Sequence, residues 1–213
     1  MFIFGDVPYP VNMNHRPIVL QSLQNIEDVS LSYTAHWLEP HRLGHLLLVE
    51  TIRKERDRIT NLIVQLALRG PFNLIAGDEW LPDRDTLMRL VRRYTLNIEE
   101  TLDNPRLRRP MTCLQLLDLL MEADRGNRPT LITNFLHHFH NGDVELSLRD
   151  RVLEQCCQYT KRLSLSNSVF VLVPRLNTED YKRFFPVLAS IANEIIPVEE
   201  ELEREDMQGL LFQ

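Results

Sequence analysis

The sequence lacks any long run of apolar residues. No stretch of about 18 apolar residues, roughly what a membrane-spanning helix needs, occurs in the 213 residues. The start, MFIFGDVPYP, contains neither a basic segment nor a long apolar one, so a signal peptide is not expected. The sequence therefore predicts a cytoplasmic protein that has no membrane partner.

Cysteine is scarce, and the three cysteines form no readable disulfide framework. Cys156 and Cys157 are adjacent and Cys113 is distant, so a reducing compartment and three buried thiols are the simpler interpretation. A chain of this length, 44% hydrophobic and 25% charged, buries roughly 70% of its unfolded surface on folding. It therefore needs no disulfide or structural metal, and a single α/β domain over residues 1–213 is expected.

Glycine is also scarce, and the seven glycines form neither of the glycine-rich motifs that bind nucleotides. A dinucleotide-binding G-x-G-x-x-G is absent. The stretch NLIAGDEWLPDRDTLMRLVRR at 73–93 keeps the strand, loop and helix of a phosphate-binding loop, G-x-x-x-x-G-K-[ST]. Counted from Gly77, however, the last three positions hold Pro82, Asp83 and Arg84. Proline removes a backbone donor and Asp83 replaces the cation with an anion, so no nucleotide or other cofactor is expected.

Positive charge is not in excess. The net charge is -6, and residues 194–206 hold seven acids against one arginine, so the remainder is formally neutral and attracts no nucleic acid globally. Residues 84–109 form the one basic region, with candidate nucleic-acid-binding residues Arg84, Arg89, Arg92, Arg93, Arg106, Arg108 and Arg109. Arginines of this kind suit a phosphate backbone or an acidic partner, and an ordinary solvated helix face shows the same pattern. The sequence leaves both interpretations open.

Hydrophobic periodicity predicts alternating helices and strands. Residues 1–40 are expected to be an irregular lead-in with one or two strands, followed by a helix from Pro40 to Arg69 that ends at Gly70. The later predicted elements are a strand at 72–76, a helix from Asp83, a helix opened by a capping box of Thr112 and Gln115, a strand at 130–136, a helix at 147–163 capped by Ser147 with Asp150, a strand at 168–174, a helix at 178–193 and an edge strand at 194–200. This order predicts a mostly parallel twisted sheet flanked by helices, with its core at 70–200 and an acidic tail at 201–213.

Several segments resemble RecA-family recombinases and their paralogues. The run RLRRPMTCLQLLDLL at 106–120 looks like the family segment after the second core strand, often written A-R-A-[FY]-T-x-x-Q-L. TLITNFL at 130–136 resembles the Walker B strand, and ASIANEIIPVEE follows in the family's order. The resemblance covers about residues 70–200 and implies a RecA-like core. It also implies that Asn134 stands where an aspartate usually orders magnesium, so the chain looks like a degenerate relative that does not hydrolyse nucleotides.

Histidine and acidic clusters are not expected to bind metal. His137, His138 and His140 lie in FLHHFH at a strand end, where consecutive side chains point different ways and no known ligand spacing is completed. His41 and His45 are four apart on the predicted helix but lack the glutamate of H-E-x-x-H, which favours solvent-facing side chains. A further acidic set is Asp78, Glu79, Asp83 and Asp85. Helix capping and loop solvation explain these acids more simply.

No catalytic residue is assigned, and no G-x-S-x-G occurs. The retained strand-loop-helix order and the lost phosphate chemistry predict a non-catalytic RecA-like domain that binds a protein partner or self-associates into an oligomer. The alternative is a DNA-binding accessory factor in recombination or repair, which the arginine cluster favours.

Overall fold

A computed structural model describes residues 44–52, 56–77, 81–123, 126, 128–140 and 144–198. The predicted lead-in at 1–40 and acidic tail at 201–213 lie outside these residues. The elements are β1 Leu46–Thr51, α1 Arg56–Arg69, β2 Phe72–Ala76, α2 Arg84–Val91, α3 Ile98–Asp103, β3 Pro105–Arg108, α4 Cys113–Ala123, β4 Thr130–Thr133, a 3-10 helix Phe135–Phe139, α5 Leu146–Ser166, β5 Val169–Pro174, α6 Glu179–Ala189 and β6 Glu194–Ile196.

The six strands form one sheet in the order β3-β2-β4-β5-β1-β6, and every pairing is parallel. The register places Leu74 beside Leu131, Leu131 beside Phe170, and Phe170 beside Leu47. Strands of this kind are covered by helices on both faces, which is why β1, β4 and β5 are almost entirely buried. The predicted α/β fold with a parallel sheet flanked by helices is confirmed.

Two apolar clusters cover the two faces of the sheet. On one face α1 packs through Ile59, Leu62 and Leu66, and Leu87 of α2 lies against the same cluster. On the other face lie α4, α5, α6 and the 3-10 helix, whose buried side chains include Leu116 and Phe184. Because α2 and α4 lie on opposite faces, side chains near each other in the sequence between residues 84 and 120 are separated by the sheet.

The prediction of one helix from Pro40 to Arg69 is wrong. Residues 46–51 form β1, with a hydrogen-bonded strand on each side, and the helix begins only at Arg56. LLLVET is a short apolar run buried on both faces, and periodicity alone does not separate such a strand from a buried helix. Gly44, with φ at 88°, turns the chain just before the strand, a conformation that favours glycine. Pro40 lies outside the described residues.

Three predicted boundaries also need correction. The strand predicted at 130–136 ends at Thr133, because Asn134 adopts a left-handed conformation with φ at 54° and a 3-10 helix follows. Glu145, not Ser147, occupies the N-cap of α5, and the Ser147 hydroxyl donates to the Glu145 carboxylate at 2.9 Å. The helix predicted to 193 ends at Ala189. The short elements α3 and β3 were not predicted.

Local signals at other element boundaries are confirmed. The strand at Phe72–Ala76 has the predicted bounds, and the Asp83 carboxylate caps α2 by accepting from the Thr86 N–H at 2.7 Å. The Thr112 hydroxyl accepts from the Gln115 N–H at 3.2 Å, while the Gln115 side chain accepts from the Met111 N–H at 2.7 Å. The edge strand predicted at 194–200 is β6, which ends earlier, at Ile196, and among the described strands pairs with β1 alone.

Candidate functional site

The loop after β2 has the layout of a phosphate-binding loop. It ends at Asp83, whose carboxylate caps the N-terminus of α2. Asp83 accepts from both the N–H and the hydroxyl of Thr86, at 2.7 and 2.9 Å, and the backbone bond is the main cause of its lowered pKa. Arg84 pairs with Glu99 at 2.9 Å, although both side chains are largely exposed. The Thr86 donors and the Arg84 guanidinium are therefore engaged by the protein itself. Asp78 and Glu79 lie outside the described residues.

A second strand-loop-helix unit, formed by β1 and α1, was missed because its strand was assigned to a helix. Its connecting sequence, TIRKER at 51–56, contains no glycine and so has no G-x-x-x-x-G-K-[ST]. The feature of the sequence that indicates this strand is the apolar run HLLLVET, which is followed at once by charged residues. Neither unit carries the residues with which a phosphate-binding loop holds a nucleotide.

Two threonine hydroxyls are buried where β1 and β4 end. Thr51 and Thr133 are 0% and 1% exposed, and neither Oγ1 has a hydrogen-bond partner in the described part of the chain. Residues two apart on a strand face the same way, which puts both hydroxyls on the α1 face with Val49 and Leu131. An unpaired buried hydroxyl costs free energy, so both hydroxyls lower the stability of the folded state.

The structure divides the seven candidate arginines into two groups. Four belong to α2 and the turn after it, on the α1 face: Arg84, Arg89, Arg92 and Arg93. In this group Arg84 pairs with Glu99, Arg89 donates to the Thr86 hydroxyl and Arg92 donates to the Met88 sulfur. These contacts are all at the surface and are what a solvated helix face would show.

The second group, Arg106, Arg108 and Arg109, lies on and just after β3. Arg106 and Arg108 are two apart on the strand, so their side chains point to one face, where they line a cavity with residues of α4. Among the described strands, β3 is an outer one and pairs with β2 only. The Phe72 N–H donates to the Asn104 carbonyl at 3.2 Å, and since alternate residues face the partner, the Leu107 N–H and C=O point away from the sheet.

Four exposed apolar side chains lie on β3 and along the chain that follows it, with Leu107 on the α1 face of the sheet and the others just before or on α4. They are Leu107, Met111, Leu114 and Met121, exposed by 44, 64, 46 and 38%. Leu114 and Met121 are seven apart in α4 and therefore lie on one side of that helix. We call the surface formed by β3, these four side chains and the three arginines of the second group the β3–α4 edge. Sequence reasoning found its arginines but not the apolar side chains, because β3 was not recognised as a strand.

The histidines of FLHHFH do not converge. His137 is exposed and His138 is buried, and the rings lie nearly perpendicular at 74°. His140 Nδ1 lies 3.7 Å from Asp180, and Arg149 lies 3.6 Å from the same carboxylate. Within the described ranges no group of three histidine, cysteine, aspartate or glutamate side chains is placed to hold a metal ion. His45 precedes β1, with Nε2 3.1 Å from Glu194, so its predicted placement on a helix is wrong. His41 lies outside the described residues.

His140 predicts a pH dependence of stability. Burial lowers its pKa, and this effect exceeds the opposing influence of Asp180, while His137 and Arg149 lower the pKa further. A histidine whose pKa is lower in the folded state contributes stability that is fully present above its unfolded pKa of about 6.5 and is lost as the pH falls below that value. We expect urea midpoints to fall less between pH 7.5 and 5.5 for His140→Gln than for the wild type. An unchanged pH dependence of the midpoint in His140→Gln contradicts the assignment.

The three cysteines are free and buried, as predicted. Burial raises the pKa of Cys157 to about 12 and raises that of Cys156 even further, so neither thiol is a nucleophile near neutral pH.

Comparison with protein-family models and with curated proteins gives no match to this chain. Among the described helices, none has both the length and the apolar character required to cross a bilayer.

Proposed function

We propose that the chain is a non-catalytic RecA-like domain that works as a protein-interaction and assembly module through the β3–α4 edge. The observation that carries this proposal is the parallel strand β3 at the border of the described sheet, whose Leu107 N–H and C=O point away from β2. An extended segment of a partner protein pairs with such an edge through its main chain, and side pockets select its side chains.

The apolar side chains give the edge an affinity that main-chain pairing alone does not supply. Single exposed apolar residues are ordinary, but here four of them, Leu107, Met111, Leu114 and Met121, belong to β3, the segment after it and α4. Natural sheets often protect an edge with charge. We propose that Arg106 and Arg108 also select the partner by charge, while the apolar side chains provide the contact.

The RecA-like part of the proposal is supported by the order of elements between residues 70 and 200. β2, the loop, α2, the segment leading into α4, β4, α5, β5 and β6 follow each other as in the resemblance. Asn134, at the position of the usual magnesium-ordering aspartate, directly follows β4. No assignment of a reaction follows from this order, because folds of this kind carry many functions.

We expect no binding of ATP with magnesium at physiological concentration. Asp83 occupies the start of α2 and no lysine or hydroxyl follows in the order that phosphate and magnesium require. Isothermal titration and thermal-shift assays measure ATP binding to the wild type and to Asp83→Asn, the variant that removes the negative charge at the start of α2. A melting temperature that rises with ATP concentration, as linkage requires of a ligand, would contradict the prediction.

The interaction proposal is tested by selecting binders from a displayed library of random 12-residue peptides on the full chain. Selected peptides are expected to compete with one another and to bind Leu114→Glu/Met121→Glu at least tenfold more weakly. Leu165→Glu, at a 70% exposed position on α5, is the matched control and should bind normally. Peptides that bind the edge variant unchanged, or no enrichment at all, would overturn the proposal.

Light scattering after size exclusion identifies whether a second copy is the partner. Self-association gives multiples of 25.1 kDa that revert to monomer in Leu114→Glu/Met121→Glu, whereas a different protein partner leaves the chain monomeric.

The DNA-binding alternative rests on the α2 arginines, and a salt-dependent gel shift tests it. Binding at low salt whose salt slope falls in Arg92→Ala/Arg93→Ala would favour that alternative, and no shift would remove it.

A further inference from the structure

A small cavity lies beside the open strand, on the α4 side of the sheet. Its volume is about 80 Å³, and the polar residues that line it are Asn73, Arg106, Arg108, Glu122 and Arg128. Asn73 belongs to β2 and Glu122 to the last turn of α4, so the cavity is bounded by two strands, one helix and the segment that leads to β4. It is separate from the carboxyl ends of the strands, where the resemblance would place nucleotide chemistry.

Cations outnumber anions in this cavity. Arg108 Nη2 lies 3.3 Å from Glu122 Oε1, a pair whose two side chains are more than half exposed. Arg106 and Arg128 have no ion pair with another described residue. Among the described residues that line the cavity, three arginines therefore stand against one glutamate.

The position of Arg106 and Arg108 is held by the sheet rather than by flexible loops. Arg106 pairs with Asn73 in the register of β3 on β2, and Arg108 pairs with Ile75. Asn73 is itself held by a bond from Nδ2 to the Thr130 hydroxyl at 3.3 Å. Because the strand positions are fixed by main-chain pairing, both side chains leave the strand on the same face of the sheet.

The size of the cavity favours a single anionic head group. A volume of about 80 Å³ exceeds the roughly 30 Å³ that one water occupies and is far below the roughly 300–1,000 Å³ of pockets that enclose a whole small molecule. Arginine forks bind a carboxylate through two parallel hydrogen bonds. A carboxylate that enters with its chain running along β3 matches both the charge and the space.

We propose that this cavity receives the carboxylate of an acidic side chain from an extended partner segment that pairs with β3. The inference rests on the proposed function and names the chemistry of the partner: an extended protein segment in which apolar and acidic residues lie close together. Nucleic acid is the less favoured occupant, because the strand is bordered by exposed apolar side chains and the α2 arginines lie on the opposite face.

The experiment measures fluorescence anisotropy of labelled peptides with the full chain. The probes are the tightest display-selected peptide that contains an acid, the peptide EIIPVEEELERED, which copies the strongly acidic residues 194–206, and versions of both with every acid replaced by its amide. We expect each amide version to bind at least tenfold more weakly. Arg106→Ala/Arg128→Ala should reduce the acidic peptides to the affinity of the amide versions, while Arg92→Ala leaves them unchanged.

Three results overturn the inference. One is equal affinity of acidic and amide peptides, which leaves the proposed function intact if binding still requires Leu114 and Met121. The second is a failure to see the expected dependence on the cavity: either the acidic peptides bind Arg106→Ala/Arg128→Ala as tightly as the wild type, or no acidic peptide binds at all. The third is tighter binding of a labelled single-stranded 13-nucleotide DNA that is lost in the same variant, which would make the cavity a phosphate site.

Discussion

Phe139→Ala is expected to lower the free energy of unfolding by about 3–5 kcal/mol, the range for truncating a buried phenylalanine. Phe139 is fully buried, and its ring centroid lies 6.1 Å from those of both Phe135 and Phe184. It thereby joins the 3-10 helix after β4 to α6, and its removal leaves a cavity between two elements that the sheet alone does not hold together. Urea denaturation with midpoint and slope measures the change.

The control for this prediction is Leu165→Ala on α5. Leu165 is 70% exposed, so its truncation should change the free energy of unfolding by no more than about 0.5 kcal/mol. A loss below about 1 kcal/mol in Phe139→Ala would show that the 3-10 segment is not part of the cooperative core.

Thr133→Val is expected to raise the free energy of unfolding by about 1–3 kcal/mol. The Thr133 side chain is buried at the end of β4, and its hydroxyl has no partner in the part of the chain that the structure describes. Valine keeps the branched shape that suits a strand and removes the unpaired polar group, so the cost of burying that group disappears. Denaturant midpoints of purified variants give the difference.

Thr160→Val is the matched comparison, because Thr160 is equally buried but its hydroxyl donates to the Cys156 carbonyl at 2.7 Å. Losing this bond should lower the free energy of unfolding by about 0.5–1.5 kcal/mol, a change of opposite sign. If Thr133→Val were destabilising as well, the Thr133 hydroxyl would have a partner, and the carboxyl end of β4 would become the place to look for a ligand.

Signals carried by a few neighbouring residues were predictable from the sequence. Asp83 as a cap, the reciprocal bonds of Thr112 and Gln115, and the strand at Phe72–Ala76 each depend on residues within one or two turns. β1 was not predictable by the same means, because LLLVET satisfies both a buried strand and a buried helix until its neighbours β5 and β6 are known. The 3-10 helix depends on the left-handed turn at Asn134, which leaves no periodic signal.

The candidate site was predictable only in its composition. The arginines between 84 and 109 were correctly singled out as the basic region, but adjacency in the sequence suggested one surface where the sheet makes two. Recognising the β3–α4 edge required the pairing of PRLR with β2, and a four-residue strand of mixed polarity carries almost no period-two signal. The contribution of Arg128 to the cavity depends on a contact across the chain that composition does not encode.

Hydrogen exchange at the Leu107 amide tests the central claim most directly. NMR would compare exchange rates in the full chain alone and saturated with the tightest display-selected peptide. If a partner segment pairs with β3, the outward Leu107 N–H should exchange at least tenfold more slowly, while the Ile195 amide on the opposite edge strand is unchanged. An unchanged Leu107 rate, with protection appearing instead at β6 or at the ends of β1 and β4, would contradict the account.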